Sequence, residues 1–193
     1  VLLSTERFNT ILKIDERNHQ VITEPGVITE VLMNEVKAVG LFYPPDPSSR
    51  GSCFLGRNIA ENSVGPKAVK YGVVKDYVLN LEVVLPNGEI IWTGANVLKN
   101  STGYNLTQLI VGSEGTLAIV TKIVLKLLPH PKYDLLMLVP FNSLEKAGEA
   151  VSAIFRAGFT PSAMELVEIN ALKIVSEFVD SAVVPVTDDM EAH

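Results

Sequence analysis

The stretch DYVLNLEVVLPNGEIIWTG, Asp76 to Gly94, carries two strand-like runs on either side of Pro86-Asn87-Gly88. Asn-Gly between apolar runs is a strong hairpin signal, because its backbone accepts the left-handed angles that match the twist of paired strands. Antiparallel pairing is therefore imposed locally, and the rest of the fold must extend that sheet. Thr116 to Leu128, alternating Ile119, Lys122 and Lys126 with aliphatics, is predicted as a long strand closed by Pro129-His130-Pro131. Short strands are predicted at Val1 to Ser4, Ile11 to Ile14 and Val21 to Glu24, the last ended by Pro25-Gly26. Ile28, Leu32, Val36 and Val39 recur at helical spacing, with Gly40 where a C-terminal cap belongs.

Between that helix and the hairpin, from Tyr43 to Gly72, both periods vanish and Pro, Gly, Ser and Asn accumulate. So long an irregular stretch in a compact domain is functional or disordered. Interleaved Phe54, Leu55, Ile59, Val64 and Val69 favour a loop anchored on a core. A short helix is predicted from Leu106, capped by Asn105 with Gln108 three residues on. After Pro131 the pattern reads as a strand (Tyr133 to Pro140), a helix (Ser143 to Arg156), a strand (Ser162 to Leu166) and a helix to about Val179. Asn142 and Glu145 suggest a capping box on the first of these helices, so this portion reads as half of an α+β sandwich.

With 193 residues the chain can bury a real core, and its net charge of −6 argues against a phosphate-backbone ligand. Nucleic acid is set aside as a partner. No apolar run reaches membrane-spanning length, since Lys122 and Lys126 interrupt the longest candidate, and no signal peptide is read at the start. One cysteine, Cys53, excludes an internal disulfide and fits a reducing compartment, so the expected location is cytoplasmic. His19, His130 and His193 lie far apart without a second ligand at metal spacing, and no metal site is read. The chain begins at Val1 in apolar sequence, as though cut from something longer.

Leu109 to Thr121, LIVGSEGTLAIVT, sets Gly112, Ser113, Glu114 and Gly115 at the head of a strand. These residues make either an ordinary turn or a place where bare backbone N–H groups approach a flat or charged ligand. No GxGxxG fingerprint, P-loop or GxSxG elbow is present, so nicotinamide binding, nucleotide hydrolysis and serine hydrolysis lose their usual signatures.

Taken together, EPGV, PPDPSS, GRNIAEN, KYG, VVLPNGEI, GYNL and GSEGTLAIVT resemble the FAD-binding domain of the vanillyl alcohol oxidase and p-cresol methylhydroxylase (PCMH) superfamily. The resemblance is narrower still to its 2-hydroxyacid branch, the flavin-carrying chains of the glycolate oxidase and D-lactate dehydrogenase type. PSAMELVEINAL is similar to the start of that branch's substrate or cap domain. The implied fold is α+β: a PCMH-type FAD-binding subdomain over residues 1–131, then the start of a ferredoxin-like α+β cap over 132–193. The resemblance implies FAD, hydride transfer from a small 2-hydroxy acid to flavin N5, and an electron acceptor that it does not name.

The residues implied to line the cofactor are Pro45, Asp46, Ser48, Ser49 and Ser52; Gly56, Ile59, Glu61, Asn62, Ser63 and Gly65; and Glu114, Gly115, Ile119 and Val120. Three positions depart from the family pattern: Arg57 and Val64 stand where glycines are usual, and Ala118 replaces a commoner glycine. The family's pyrophosphate loop is expected before Val1 and its acid–base groups and metal ligands after His193, so no catalytic residue is assigned here. The chain is thus expected to be a fragment, inactive alone, that self-associates or joins other subunits of an oxidase complex. The alternatives are a degenerate FAD-fold subunit that serves assembly, and an alkyl-transferring enzyme of the same superfamily.

Overall fold

The computed structural model describes residues 3–178 and 190–192 and divides into two compact units, Val1–Lys132 and Tyr133–His193. In the first unit β1 (Ile11–Asp15), β2 (Gln20–Thr23), β4 (Val78–Val84), β5 (Ile90–Trp92) and β6 (Ile119–Lys126) form one antiparallel sheet in the order β1-β2-β6-β4-β5. The hairpin read from Asn87-Gly88 forms as expected, with Glu82 opposite Trp92 and Val84 opposite Ile90. β6 takes the middle of the sheet, where Leu81 faces Ile123 and Val78 faces Leu125. Its Ile123, Val124 and Leu125 are completely buried in succession, which a central strand covered on both faces requires. Each such side chain removed from water contributes roughly 1.5–3 kcal/mol. β3 (Leu41–Phe42) pairs with β7 (Leu128–Pro129) in a second small sheet.

Helix α1 (Thr29–Ala38) buries Leu32 and Val36, and Gly40 follows it at φ +77°, the left-handed angle that ends a helix at least cost in glycine. The long irregular stretch expected between Tyr43 and Gly72 is not structureless. It contains α2 (Leu55–Glu61) and α3 (Ala68–Tyr71), followed by a 3-10 turn at Val74–Asp76. Leu55 and Ile59 of α2 join the same core as Leu32, Val36, Leu81 and Ile123. α4 (Leu106–Ile110) starts where expected, with Asn105 Oδ1 accepting from the Gln108 N–H at 2.9 Å. The Gln108 side chain does not reach back to its cap; it donates to the Lys75 carbonyl at 2.8 Å.

Two other expectations shift. β6 begins at Ile119, because the residues from Ser113 to Ala118 turn instead of extending. Residues 3 and 4 form no strand, and Val1 and Leu2 lie outside the described residues.

In the second unit α5 (Leu144–Arg156) and α6 (Ile169–Phe178) form, Val179 lying outside the described residues. The cap of α5 is Ser143, whose Oγ accepts from the Lys146 N–H at 3.4 Å, one residue beyond the Asn142 predicted. Neither predicted strand is present. Tyr133 to Pro140 and Ser162 to Leu166 carry no ladder, and the unit has only bridges from Ala192 to Phe141 and to Glu168 among the described residues. An apolar run becomes a strand only when another backbone takes up its N–H and C=O groups, and among the described residues none pairs with these. No helix among the described residues is long and apolar enough to cross a membrane.

The β1–β2 turn makes its own pH prediction. Asp15 accepts from the Asn18 side chain and N–H, both at 3.0 Å, and from Lys13 Nζ at 3.2 Å. These bonds hold its carboxyl at about 2, below the ordinary 3.8. A carboxyl depressed in the folded state contributes stability that is present above its unfolded pKa and lost as pH falls through the folded value. Asp15→Asn is therefore expected to flatten the loss of stability between about pH 4 and pH 2. Urea midpoints across that window test this, and parallel profiles for the two proteins would count against it.

Candidate functional site

Helix α2 is the hub on which three turns meet. The first turn, Asp46 to Ser52, leads into it. It closes through Arg50 N–H to the Pro47 carbonyl, and Ser52 and Cys53 N–H to the Ser49 carbonyl, all at 2.9 Å. Gly56 then sits against Pro25: its N–H donates to the Pro25 carbonyl at 2.8 Å, and a Cβ at this position would lie 2.7 Å from the Pro25 side chain. This is the physical use of the EPGV segment, which seats the first turn of α2.

The second turn, Asn62 to Gly65, leaves the helix with Asn62 in the left-handed region at φ +50°. Ser63 N–H closes on the Asn58 carbonyl at 3.0 Å, and Asn62 Oδ1 accepts from the Lys75 N–H at 2.9 Å. Gly65 presses against the first turn so closely that an added Cβ would fall 2.1 Å from the Asp46 carbonyl oxygen. The Asp46 carboxylate, almost wholly buried, bonds Arg50 Nη1 at 2.6 Å and pairs with Lys67 Nζ at 3.2 Å. The first two turns are thus clamped from within by one carboxylate and one glycine.

The third turn docks on the C-terminal end of α2. Gly112 N–H donates to the Ile59 carbonyl at 2.9 Å, which also accepts from Asn62 N–H at 3.3 Å, and Glu114 N–H donates to the Ala60 carbonyl at 3.0 Å, so the third turn serves the carbonyls at the helix end. Gly112, Glu114 and Gly115 all have positive φ, and Glu114 at +52° is the costly member because it has a Cβ. The two glycines therefore differ in use: Gly112 spends its N–H on the helix, while Gly115 does not.

The predicted lining residues sort accordingly. Ile59 lies in the core, Pro45 is buried, and the Asp46 carboxylate is taken up in its ion pairs. Glu61 pairs with Arg57 at 2.9 Å along the surface of α2. Ser63 Oγ turns inward to Asn58, and Val120 is half-buried in β6 opposite Val83. Ser48, Ser52, Glu114, Gly115 and Ile119 are exposed, with Ser49 partly so. Among the described residues, the N–H groups of Ser48, Ser49, Val64, Gly65, Gly115 and Leu117 donate to no acceptor in the chain, and the space within 4 Å of a Cβ on Gly115 is open. Unengaged N–H groups on short turns are donors that a flat, acceptor-rich ligand can use. Arg50, Arg57 and Lys67 are all already paired with carboxylates, so these three bring no unpaired cation to the turns.

Thr29, Asn58 and Lys67 were not predicted for the site, although each holds one of its turns. Thr29 lies just after the EPGV segment that carries the resemblance, and Asn58 lies inside GRNIAEN. Nothing in their local pattern distinguishes them from surface polar residues.

The model for the FAD binding domain matches residues 1–94, and that for the C-terminal domain of FAD linked oxidases matches residues 130–192. The chain is 44% identical over 178 residues to the glycolate oxidase protein GlcD of Bacillus subtilis, covering 92% of this chain and 38% of that protein. It is 39% identical over 185 residues to a D-lactate dehydrogenase of Anaerostipes hadrus, covering 96% and 39%. A solved alkyldihydroxyacetonephosphate synthase superposes with a TM-score of 0.77 at 25% identity, over 92% of this chain and 32% of that one. The chain thus spans under two-fifths of the length of these relatives. With the FAD binding domain model over residues 1–94 and the FAD linked oxidases C-terminal domain model over residues 130–192, the chain belongs to the FAD-linked oxidases of the PCMH type.

Proposed function

We propose that the full-length protein carrying this chain oxidises a small 2-hydroxy acid of the glycolate or D-lactate type. In this reading residues 1–131 belong to its FAD-binding domain and residues 132–193 to its substrate or cap domain. The observation that carries the proposal is the meeting of three separately predicted segments on one helix, in a chain 44% identical to a glycolate oxidase component. When bound, FAD supplies the redox chemistry, accepting a hydride from the hydroxyl-bearing carbon at its N5. Ser48, Ser49, Ser52, Gly65, Glu114, Gly115 and Ile119 would meet the cofactor through exposed backbone or side chains. Pro45, Asp46, Gly56, Ile59, Glu61, Asn62, Ser63 and Val120 would hold the turns in place behind them. These residues bind and orient, and none is assigned a proton in the reaction.

The test is the visible spectrum of the full-length protein, followed by dye-coupled oxidation of glycolate and of D- and L-lactate. A flavin band that bleaches with one of these acids is the expected result, and a flavin that none of them reduces would overturn the substrate class.

The proposed partners are an electron acceptor and other subunits of an oxidase complex. Leu135, Leu136 and Met137 are each more than four-fifths exposed in the second unit, and contiguous apolar exposure of this kind recruits other chains. The 193-residue chain is therefore expected to self-associate. Light scattering that reports a monomer at concentrations on the order of tens of micromolar would refute this.

A further inference from the structure

Thr29 and Asn58 are polar side chains only 0% and 1% exposed, and their near neighbours along the chain, Val27, Leu32, Leu55 and Ile59, belong to the core. Asn58 Nδ2 donates to Thr29 Oγ1 at 2.6 Å. Thr29 Oγ1 in turn lies 3.3 Å from both the carbonyl oxygen and the thiol of Cys53, and the Thr29 N–H donates to the same carbonyl at 3.0 Å. At the other end Asn58 Oδ1 accepts from Ser63 Oγ at 3.4 Å, while the Asn58 carbonyl accepts from the Ser63 N–H. One buried polar chain therefore runs from Cys53, directly after the first turn, through the first residue of α1 and the middle of α2, to Ser63 in the second turn.

Burying the Asn58 amide and the Thr29 hydroxyl has a desolvation cost that an aliphatic pair of equal volume would avoid. What the polar chain adds is direction, because hydrogen bonds tolerate little change in distance or angle while aliphatic contacts slide. Its two ends are the two turns whose spacing decides whether Ser48, Ser49 and Gly65 face one ligand together.

We propose that Thr29 and Asn58 are positioning residues that hold these two turns at the spacing bound FAD requires, an inference that rests on the FAD reading above. Neither side chain reaches the cofactor itself. Their effect is exerted through Cys53 and Ser63, so it is visible in the affinity of the folded protein and not only in its stability.

The experiment titrates FAD into the flavin-stripped full-length protein, followed by flavin fluorescence. Thr29→Val and Asn58→Leu are each expected to raise the FAD Kd about tenfold or more, since each cuts the same chain. The double variant is expected to be little worse than either single one, because residues of one network do not add. Thr29→Ser, which keeps the hydroxyl, is expected to stay within about twofold of wild type. Val36→Ala, a cavity in the core that touches neither turn, is expected to lower the unfolding midpoint and leave the Kd unchanged. Should Thr29→Val not fold, Asn58→Ser, whose hydroxyl is too short to reach Thr29, carries the same comparison. Wild-type affinity in the folded variants, or fully additive losses, would overturn the proposal. A full-length wild-type protein that takes up no FAD at all would instead overturn the reading beneath it.

Discussion

Gly65→Ala is expected to cost about 3 kcal/mol or more, at the upper end of what overpacking does. The added Cβ would lie 2.1 Å from the Asp46 carbonyl oxygen and 2.5 Å from its carbon, both backbone atoms. Asp46 cannot retreat cheaply, because its carboxylate is buried and held by Arg50 and Lys67. Relief requires the first and second turns to separate. Gly115→Ala is the control: its Cβ would meet nothing within 4 Å, so the cost is only that of φ +74° in a residue with a side chain, about 1–2 kcal/mol. Urea denaturation of the two variants checks the contrast. A Gly65→Ala loss smaller than that of Gly115→Ala would show that the turns slide apart freely.

The 193-residue chain produced alone is expected to purify colourless and to oxidise no hydroxy acid even with added FAD. The three turns leave the N–H groups of Ser48, Ser49, Val64, Gly65, Gly115 and Leu117 without an acceptor among the described residues. Arg50, Arg57 and Lys67 are already paired with carboxylates, and the exposed carboxylate of Glu114 stands on the third turn. The pyrophosphate of FAD carries two negative charges and needs several charge-assisted hydrogen bonds, each worth roughly 1.5–3 kcal/mol. Without them binding weakens by several orders of magnitude, since each 1.4 kcal/mol is about tenfold. A visible spectrum, an FAD titration and a dye-coupled assay on the purified chain test this. A retained yellow band near one FAD per chain would show that these turns carry far more of the site than their charges allow.

The sheet was legible because its determinants are local or periodic. Asn87-Gly88 specifies a hairpin by backbone angle, and the runs at Ile11, Val21 and Ile119 are rich in β-branched and aliphatic residues bounded by turn signals. α1 was legible for the same reason, since its apolar spacing exists before any tertiary contact. α2 was not, because LGRNIAE has seven residues with glycine and asparagine inside, and a helix that short forms only where packing supports it. Leu55 and Ile59 entering the core, together with the Thr29–Asn58 bond, supply that support from residues far away in sequence. The predicted strands at Tyr133 and Ser162 failed in the opposite sense: the pattern was present, but a strand exists only with a partner.

The amino-acid sequence by itself determined the antiparallel hairpin, the amphipathic α1 and the positions along the chain of the three turns, all through torsional preference and hydrophobic period. The tertiary structure alone decided which groups those turns present. It turned the Asp46 carboxylate and the Ile59 side chain inward, spent the Gly112 N–H on the end of α2, and left the N–H groups of Gly65 and Gly115 unengaged. The reason is that hydrogen-bond and ion-pair partners are chosen by proximity in space. Lys67 finds Asp46, and the Ile59 carbonyl finds Gly112, only after folding has brought segments distant in sequence onto one helix.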